Sequence, residues 1–152
     1  MENAYEKLLV DLVDADVNFV TVGGIACALN GHVRATEDVD ILVERTDANL
    51  ERILRCLINF GEGHAAELGL HDFPDEEGAV RIIEDFPLDI FVRMGGRTYS
   101  DFAPHIRIWE KGPVRLPYLD LDSLIDLKRH SLRERDQLDV LALRALRSAG
   151  ND

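Results

Sequence analysis

The most constraining feature of this sequence is the segment Asp38-Val-Asp-Ile-Leu-Val43, where two aspartates stand two residues apart in an apolar run. Its β-branched residues favour a strand. Side chains alternate along a strand, so Asp38 and Asp40 share one face and the two valines and the isoleucine form the other. Two carboxylates this close repel each other unless a cation meets them. A divalent ion, Mg²⁺ or Mn²⁺, turns that repulsion into ligation by hard oxygen donors.

A glycine pair precedes this segment. Residues 19–22, Phe-Val-Thr-Val, predict a short strand, and the small residues 25–29 predict a short helix that ends at Asn30-Gly31. Between them stand Gly23 and Gly24. Backbone without side chains can approach phosphate oxygens, and the following helix offers N–H groups and the positive end of its dipole. We therefore expect phosphate groups to bind at this turn.

A third carboxylate lies on a later strand. Residues 80–84 and 88–92 are two β-prone runs separated by Asp85-Phe86-Pro87, which predicts a hairpin whose second strand carries Asp89. If that strand pairs beside the strand of Asp38 and Asp40, three carboxylates can bind two metal ions roughly 4 Å apart, the geometry of in-line phosphoryl transfer. Asp89 is then the candidate to accept the proton of the attacking hydroxyl.

The rest of the chain alternates helices and strands. Apolar spacing predicts amphipathic helices over residues 2–16 and 48–59, short strands over 105–109 and 114–116, and two helices from residue 122 onward. Residues 60–77 have weak periodicity and are expected to be irregular. The predicted fold class is α/β (α+β): a mixed β-sheet flanked by helices, with C-terminal helices, in one domain over residues 1–152.

Composition excludes several kinds of protein. No apolar run approaches the roughly 20 residues that cross a bilayer, and the acidic N-terminus lacks the features of a secretory signal, so a cytoplasmic protein is expected. The net charge of −12 argues against general nucleic-acid binding, although it leaves room for a local basic groove. Cys27 and Cys56 are expected to be packing residues, and the five histidines have no metal-ligand spacing.

The strand, glycine pair, short helix and Asp-x-Asp together resemble the nucleotidyltransferase superfamily that shares the polymerase-β palm. The pattern G-x-x-R-x-T-x-D-x-D, beginning at Gly31, is most similar to its prokaryotic branch of stand-alone nucleotidyltransferases and AbiEii-type toxins. The resemblance covers residues 18–43 closely, and Asp89 and the C-terminal helices loosely. Many members have Gly-Ser where this chain has Gly23-Gly24. The resemblance implies metal binding by Asp38, Asp40 and Asp89, and nucleotide contacts from Gly23, Gly24, Arg34, Thr36 and Lys128.

The activity that the resemblance implies is transfer of a nucleoside monophosphate from a nucleoside triphosphate to a hydroxyl of a protein, tRNA or small-molecule acceptor, with a toxin–antitoxin role among the candidates. The alternative is a non-catalytic protein of the same fold that acts as a binding or regulatory partner, either with an antitoxin in a toxin–antitoxin pair or as a homodimer through the leucine-rich C-terminal helix.

Several individual residues also have two interpretations. Arg34 and Thr36 can instead brace their loop through hydrogen bonds to Asp38 or Asp40. Lys128 can be an ordinary solvated helix residue. Helical spacing also favours pairing of Arg133 and Arg135 with Asp136 and Asp139.

Overall fold

The fold, described for residues 4–150 in a computed structural model, is organised around a six-stranded mixed sheet with the order β3-β4-β2-β1-β8-β7. Two neighbouring pairs, β2 with β4 and β1 with β8, are parallel, and the other pairs are antiparallel. A separate two-stranded hairpin is formed by β5 and β6. The strands are β1 (Phe19–Val22), β2 (Val39–Val43), β3 (Ala79–Ile83), β4 (Pro87–Phe91), β5 (Arg93–Met94), β6 (Arg97–Thr98), β7 (Ile106–Lys111) and β8 (Val114–Leu119).

Helices connect and flank these strands. The α-helices are α1 (Ala4–Asp14), α2 (Gly23–Leu29), α3 (Asp47–Leu57), α4 (Tyr99–Phe102), α5 (Leu121–Lys128) and α6 (Glu134–Gly150). Short 3-10 turns lie at His64–Glu67, Leu70–Asp72 and Ala103–His105. Among residues 4–150, no helix is long and apolar enough to cross a membrane.

The sheet separates two hydrophobic cores, and β2 contributes to both. Its residues Val39, Ile41 and Val43 are buried in one core together with leucines of α1 and α3. Leu42 points the other way, into a second core with residues of α2, α5 and α6. Because side chains alternate along a strand, Asp40 lies on the same face as Leu42. The carboxylate therefore faces the layer formed by α2 and the C-terminal helices.

Helix capping sets two of the helix starts. The Thr46 hydroxyl accepts a hydrogen bond from the Asn49 N–H at the start of α3, and the Asp120 carboxylate accepts one from the Ser123 N–H at the start of α5. Both are side chains that replace the missing partners of a helix's first N–H groups. The helix predicted over 48–59 is confirmed as α3, with the slightly different bounds Asp47–Leu57.

The mixed sheet with flanking and C-terminal helices is confirmed, with a few local differences. The first two residues of the helix predicted over 2–16 lie outside the described residues. The strand predicted over 114–116 continues to Leu119, and His105 belongs to a 3-10 turn rather than to β7. The hairpin of β5 and β6 was not predicted, because two-residue strands are too short to produce a periodic pattern.

Candidate active site

Three carboxylates meet on one face of the sheet, at the neighbouring strands β2 and β4. Asp40 on β2 and Asp89 on β4 are register partners in parallel strands, and Asp38 directly precedes β2. Neighbouring strands lie about 4.8 Å apart, so the side chains of Asp40 and Asp89 emerge side by side on the same face. The sequence-based expectation that the strand of Asp89 pairs beside that of Asp38 and Asp40 is confirmed by this pairing.

The environment of Asp40 disfavours its charge. Burial contributes most, followed by the neighbouring carboxylates of Asp89 and Asp38, and together they raise the pKa of Asp40 to about 6, although the charge of Lys128 acts in the opposite direction. A carboxyl with this pKa is partly protonated near neutral pH. The site is therefore short of positive charge at Asp40.

Arg81 on β3 supplies positive charge to the other two carboxylates. Its Nε and Nη2 donate to the two oxygens of Asp89 at 2.8 and 2.9 Å, and Nη2 also donates to Asp38 Oδ2 at 2.9 Å. The hydrogen bond and the charge of Asp89 raise the pKa of Arg81, which keeps the guanidinium protonated. The sequence analysis did not select Arg81. The available signal was its position in the strand that forms a hairpin with the strand of Asp89.

The glycine pair lies directly against these acidic residues. Val22 is the register partner of Asp40, and Gly23 follows it with φ of 66°, a backbone conformation that favours glycine. A Cβ on Gly23 would overlap the Asp40 carboxylate. A Cβ on Gly24 would stand 2.7 Å from Thr36 Oγ1. Both glycines are thus required by close approach, and their backbone forms one wall of the acidic site.

Arg34 and Lys128 are held by the same buried carboxylate. Arg34 donates from Nε and Nη2 to the two oxygens of Asp139 at 2.7 and 3.0 Å, and Lys128 Nζ lies 3.1 Å from Asp139 Oδ2. Asp139 is fully buried. Arg34 therefore braces α6 and not Asp38 or Asp40, which corrects the bracing alternative.

The surroundings of Lys128 also differ from those of a solvated helix residue. Only 11% of its side chain is exposed, and Nζ donates to Asp136 Oδ1 at 3.0 Å. Burial alone would raise the pKa of Asp136, but hydrogen bonds from Ser131, Arg133 and Lys128 outweigh it and lower the pKa to about 2. The pairing of Arg133 with Asp136 agrees with the helical spacing. Asp139 instead pairs with Arg34 and Lys128.

A cavity of about 200 Å³ brings these elements together. It is bounded by the sheet, the glycine pair and the end of α5, and every residue that the sequence analysis selected lies in its wall. These are Gly23, Gly24, Arg34, Thr36, Asp38, Asp40, Asp89 and Lys128. The wall also contains Arg81, Arg133 and Arg135, so five basic residues face one cavity in a chain of net charge −12. The same wall contains five acidic residues, Glu37, Asp38, Asp40, Asp89 and Asp136, so the cavity combines both charges rather than forming a basic groove.

One histidine lies in a second group of potential metal ligands. Ligand atoms of Glu62, His64 and Glu84 all lie within 4.8 Å of one another, an arrangement that sequence spacing did not predict. Glu84 already accepts hydrogen bonds from the backbone N–H groups of Glu62 and His64 at 3.0 and 2.9 Å. Glu84 directly follows β3, so its carboxylate holds the loop after α3 against the end of that strand.

Comparison with known proteins supports the fold. No protein-family model matches the sequence, and no curated protein matches it either. The structure is similar to the crystal structure of a protein from Thermotoga maritima that is named a "putative nucleotidyltransferase", with a TM-score of 0.58 and 20% sequence identity, over 95% of this chain and 89% of that one. The chain thus has a nucleotidyltransferase-like fold. The narrower resemblance to the AbiEii-type branch stays a prediction.

Proposed function

We propose that the protein is a metal-dependent nucleotidyltransferase, which moves a nucleoside monophosphate from a nucleoside triphosphate to an acceptor hydroxyl. The observation that carries this proposal is the convergence of all eight selected residues on one cavity, in a fold of the nucleotidyltransferase type. The residues come from distant parts of the chain, and carboxylates, close-approach glycines and cations are the groups that this chemistry requires.

The carboxylates fit a divalent metal. Asp38, Asp40 and Asp89 offer only oxygen ligands, the donors that Mg²⁺ and Mn²⁺ prefer. The raised pKa of Asp40 reflects burial and carboxylate repulsion, both of which a divalent cation would offset. When bound, such a metal would neutralise charge on the triphosphate and make the acceptor hydroxyl more acidic. We assign the metal to these three residues.

The part of the cavity wall beside the carboxylates suits the phosphates. The backbone of Gly23 and Gly24 is open to close approach, and Thr36 adjoins it. Arg34 and Lys128 carry positive charge, and their common partner Asp139 holds both at fixed positions. Such preorganised cations need no rearrangement when negative charge develops on phosphate oxygens. We assign Gly23, Gly24, Arg34, Thr36 and Lys128 to nucleotide binding.

Two carboxyl groups are candidates to take the acceptor's proton. Asp89 is the sequence-based candidate, but both its oxygens accept hydrogen bonds from Arg81. Asp40 has a pKa of about 6 without metal, but a divalent ion bound to it would lower that pKa, so Asp40 is the weaker candidate once metal is present. We propose that Asp89 serves as the base only when Arg81 has left it.

The acceptor is a hydroxyl of a protein, a tRNA or a small molecule, and the net charge of −12 disfavours the tRNA. The proposed location of the protein is the cytoplasm, and a toxin–antitoxin role is one candidate setting.

Calorimetry tests the nucleotide site. ATP and the other nucleoside triphosphates are titrated with and without Mg²⁺ into the wild type, Asp40→Asn, and Asp122→Asn as a control in an exposed ion pair. We expect Mg²⁺-dependent binding that Asp40→Asn loses and Asp122→Asn keeps. Absence of binding by the wild type to every triphosphate would refute the proposed enzyme.

Label transfer tests the reaction class. Triphosphates labelled at the α- or the γ-phosphorus are incubated with the protein, tRNA and candidate protein acceptors. A nucleotidyltransferase transfers only the α-label, whereas a kinase transfers the γ-label. Transfer of the γ-label would replace the proposed reaction with phosphoryl transfer.

A second candidate function has support from two observations. Arg81 already provides the Asp38 and Asp89 carboxylates with a cation, as expected for a protein that keeps the fold without metal chemistry. Leu138 and Leu141 on α6 are 56% and 64% exposed, and such apolar groups are suited to a homodimer or an antitoxin contact. This candidate is a non-catalytic binding or regulatory protein. It predicts association in light scattering and no metal-dependent nucleotide binding.

A further inference from the structure

Arg81 occupies two of the three carboxylates that would hold a divalent ion. Its guanidinium bridges Asp38 and Asp89 through three hydrogen bonds of 2.8 to 2.9 Å, so oxygens of two of the three proposed ligands are engaged. The other strong cations of the cavity have different partners, since Arg34 and Lys128 pair with Asp139. Arg81 is thus positioned on the metal carboxylates and not on the proposed phosphate wall.

The side chain of Arg81 also has room to move. It is 49% exposed, whereas the side chain of Asp89 is 10% exposed. Arg81 can therefore swing toward solvent without opening the hydrophobic core, while Asp89 stays fixed in β4. A guanidinium and a divalent ion at the same two carboxylates repel each other and share the lone pairs of the same oxygens, so binding of one weakens binding of the other.

We propose that Arg81 is a resident cation that competes with divalent metal for Asp38 and Asp89. It stabilises the paired carboxylates before metal enters and lowers the affinity of the protein for free metal. Arg81 is accordingly a positioning residue that controls metal loading. This inference rests on the proposed function, because it requires the three aspartates to bind metal.

The test measures Mn²⁺ binding alone, at pH 7.5 without nucleotide, from the electron paramagnetic resonance signal of free Mn²⁺. Arg81→Met keeps an unbranched apolar stem and removes the guanidinium. We expect the dissociation constant for Mn²⁺ to fall roughly tenfold, the size of effect expected when one charged hydrogen-bonded competitor is removed. A purely structural role for Arg81 would weaken metal binding instead.

The matched control is Arg93→Met. Arg93 also lies on a strand and also makes a two-pronged pair with an aspartate, Asp75, at 3.0 and 3.3 Å. Because that pair is separate from the three aspartates, its loss should leave the Mn²⁺ affinity unchanged. If Arg81→Met does not fold, Arg81→Lys tests the competition instead. Lysine keeps the positive charge but cannot donate two parallel hydrogen bonds to one carboxylate, so Arg81→Lys should tighten Mn²⁺ binding by about twofold to threefold.

The outcomes separate this inference from the proposed function. Tighter Mn²⁺ binding in the Arg81 variant, with Arg93→Met unchanged, supports the competition. If the wild type binds Mn²⁺ in a manner that Asp40→Asn removes, yet the Arg81 variant binds no more tightly, the competition is refuted and the metal site stands. If neither the wild type nor the variant shows binding that depends on Asp40, the metal site and the competition both fall.

Discussion

Replacing Asp40 with asparagine should stabilise the metal-free protein while it abolishes metal binding. The pKa of Asp40 rises from 3.8 to about 6 on folding, a shift of about 2 units, and each unit corresponds to about 1.36 kcal/mol. The buried carboxylate therefore opposes folding at neutral pH by about 3 kcal/mol. Asparagine has nearly the same shape without the charge, and we expect Asp40→Asn to raise the free energy of unfolding by about 2 kcal/mol, allowing for imperfect hydrogen bonding of the amide.

The sign of the pH dependence follows from proton binding. Between pH 3.8 and about 6 the folded protein binds more protons at Asp40 than the unfolded chain does, so this carboxyl makes the protein less stable as the pH rises through that window. Above about pH 6 the cost is complete. The advantage of Asp40→Asn should accordingly be absent below pH 3.8, grow through the window and stay constant above it.

Thermal and urea unfolding without metal, followed by circular dichroism from pH 3.5 to 8, measure this difference. At pH 7.5 we expect the melting temperature of Asp40→Asn to exceed that of the wild type by about 4–8 °C, and the difference to vanish at the acid end. Mg²⁺ should then raise the melting temperature of the wild type alone. A variant no more stable than the wild type at pH 7.5, or equally stabilised at pH 3.5, would refute the reasoning.

Two further substitutions test the packing around the cavity. Gly23→Ala should lower the free energy of unfolding in urea by about 2 kcal/mol or more and weaken ATP binding, because the added Cβ meets the Asp40 carboxylate at a left-handed φ. The control is Gly96→Ala, where φ is also left-handed, at 74°, but no atom lies within 4 Å of the added Cβ. It should lower the free energy of unfolding by about 1 kcal/mol and leave ATP binding intact. Equal effects of the two would argue against a close-approach role. Asp139→Asn should lower the free energy of unfolding at pH 7 by about 3–5 kcal/mol, since it removes the buried counter-charge of Arg34 and leaves Lys128 with Asp136 alone. The exposed Asp122→Asn should change it by less than about 0.5 kcal/mol. A loss at Asp139 as small as that at Asp122 would contradict the proposed arrangement of the cations.

Local patterns in the sequence predicted the parts of the fold that depend on neighbouring residues. Alternation in residues 38–43 predicted the strand and the shared face of its aspartates, and the glycine pair marked the boundary between β1 and α2. Both patterns depend on backbone geometry that repeats over two to four residues, and such information is present in a short window. The two-residue strands β5 and β6 are too short to show it.

Strand register could not be obtained in the same way. The turn predicted over residues 85–87 would pair residue 84 with 88, and hence Arg81 with Phe91. Both strands instead begin one residue earlier, and Arg81 is paired with Asp89. A shift of two residues in the pairing keeps every side chain on its face, so hydrophobic alternation cannot distinguish the two registers. The contact of Arg81 with the acidic residues was therefore decided by the assembled sheet.

The sequence by itself determined the residue types of this site: the aspartates on one strand face, the glycines at the turn, and the candidate cations. Only the tertiary structure decided their partners. Arg34 and Asp139 stand 105 residues apart, and they meet because α6 packs against the layer that contains α2. Ion pairs of this kind depend on the path of the whole chain. A charged side chain has many potential partners in the sequence, and only the packing of the folded chain decides which of them lies within reach. For the same reason, the contact of Arg81 with Asp38 and Asp89, on which the proposed competition with metal rests, is seen only in the folded protein.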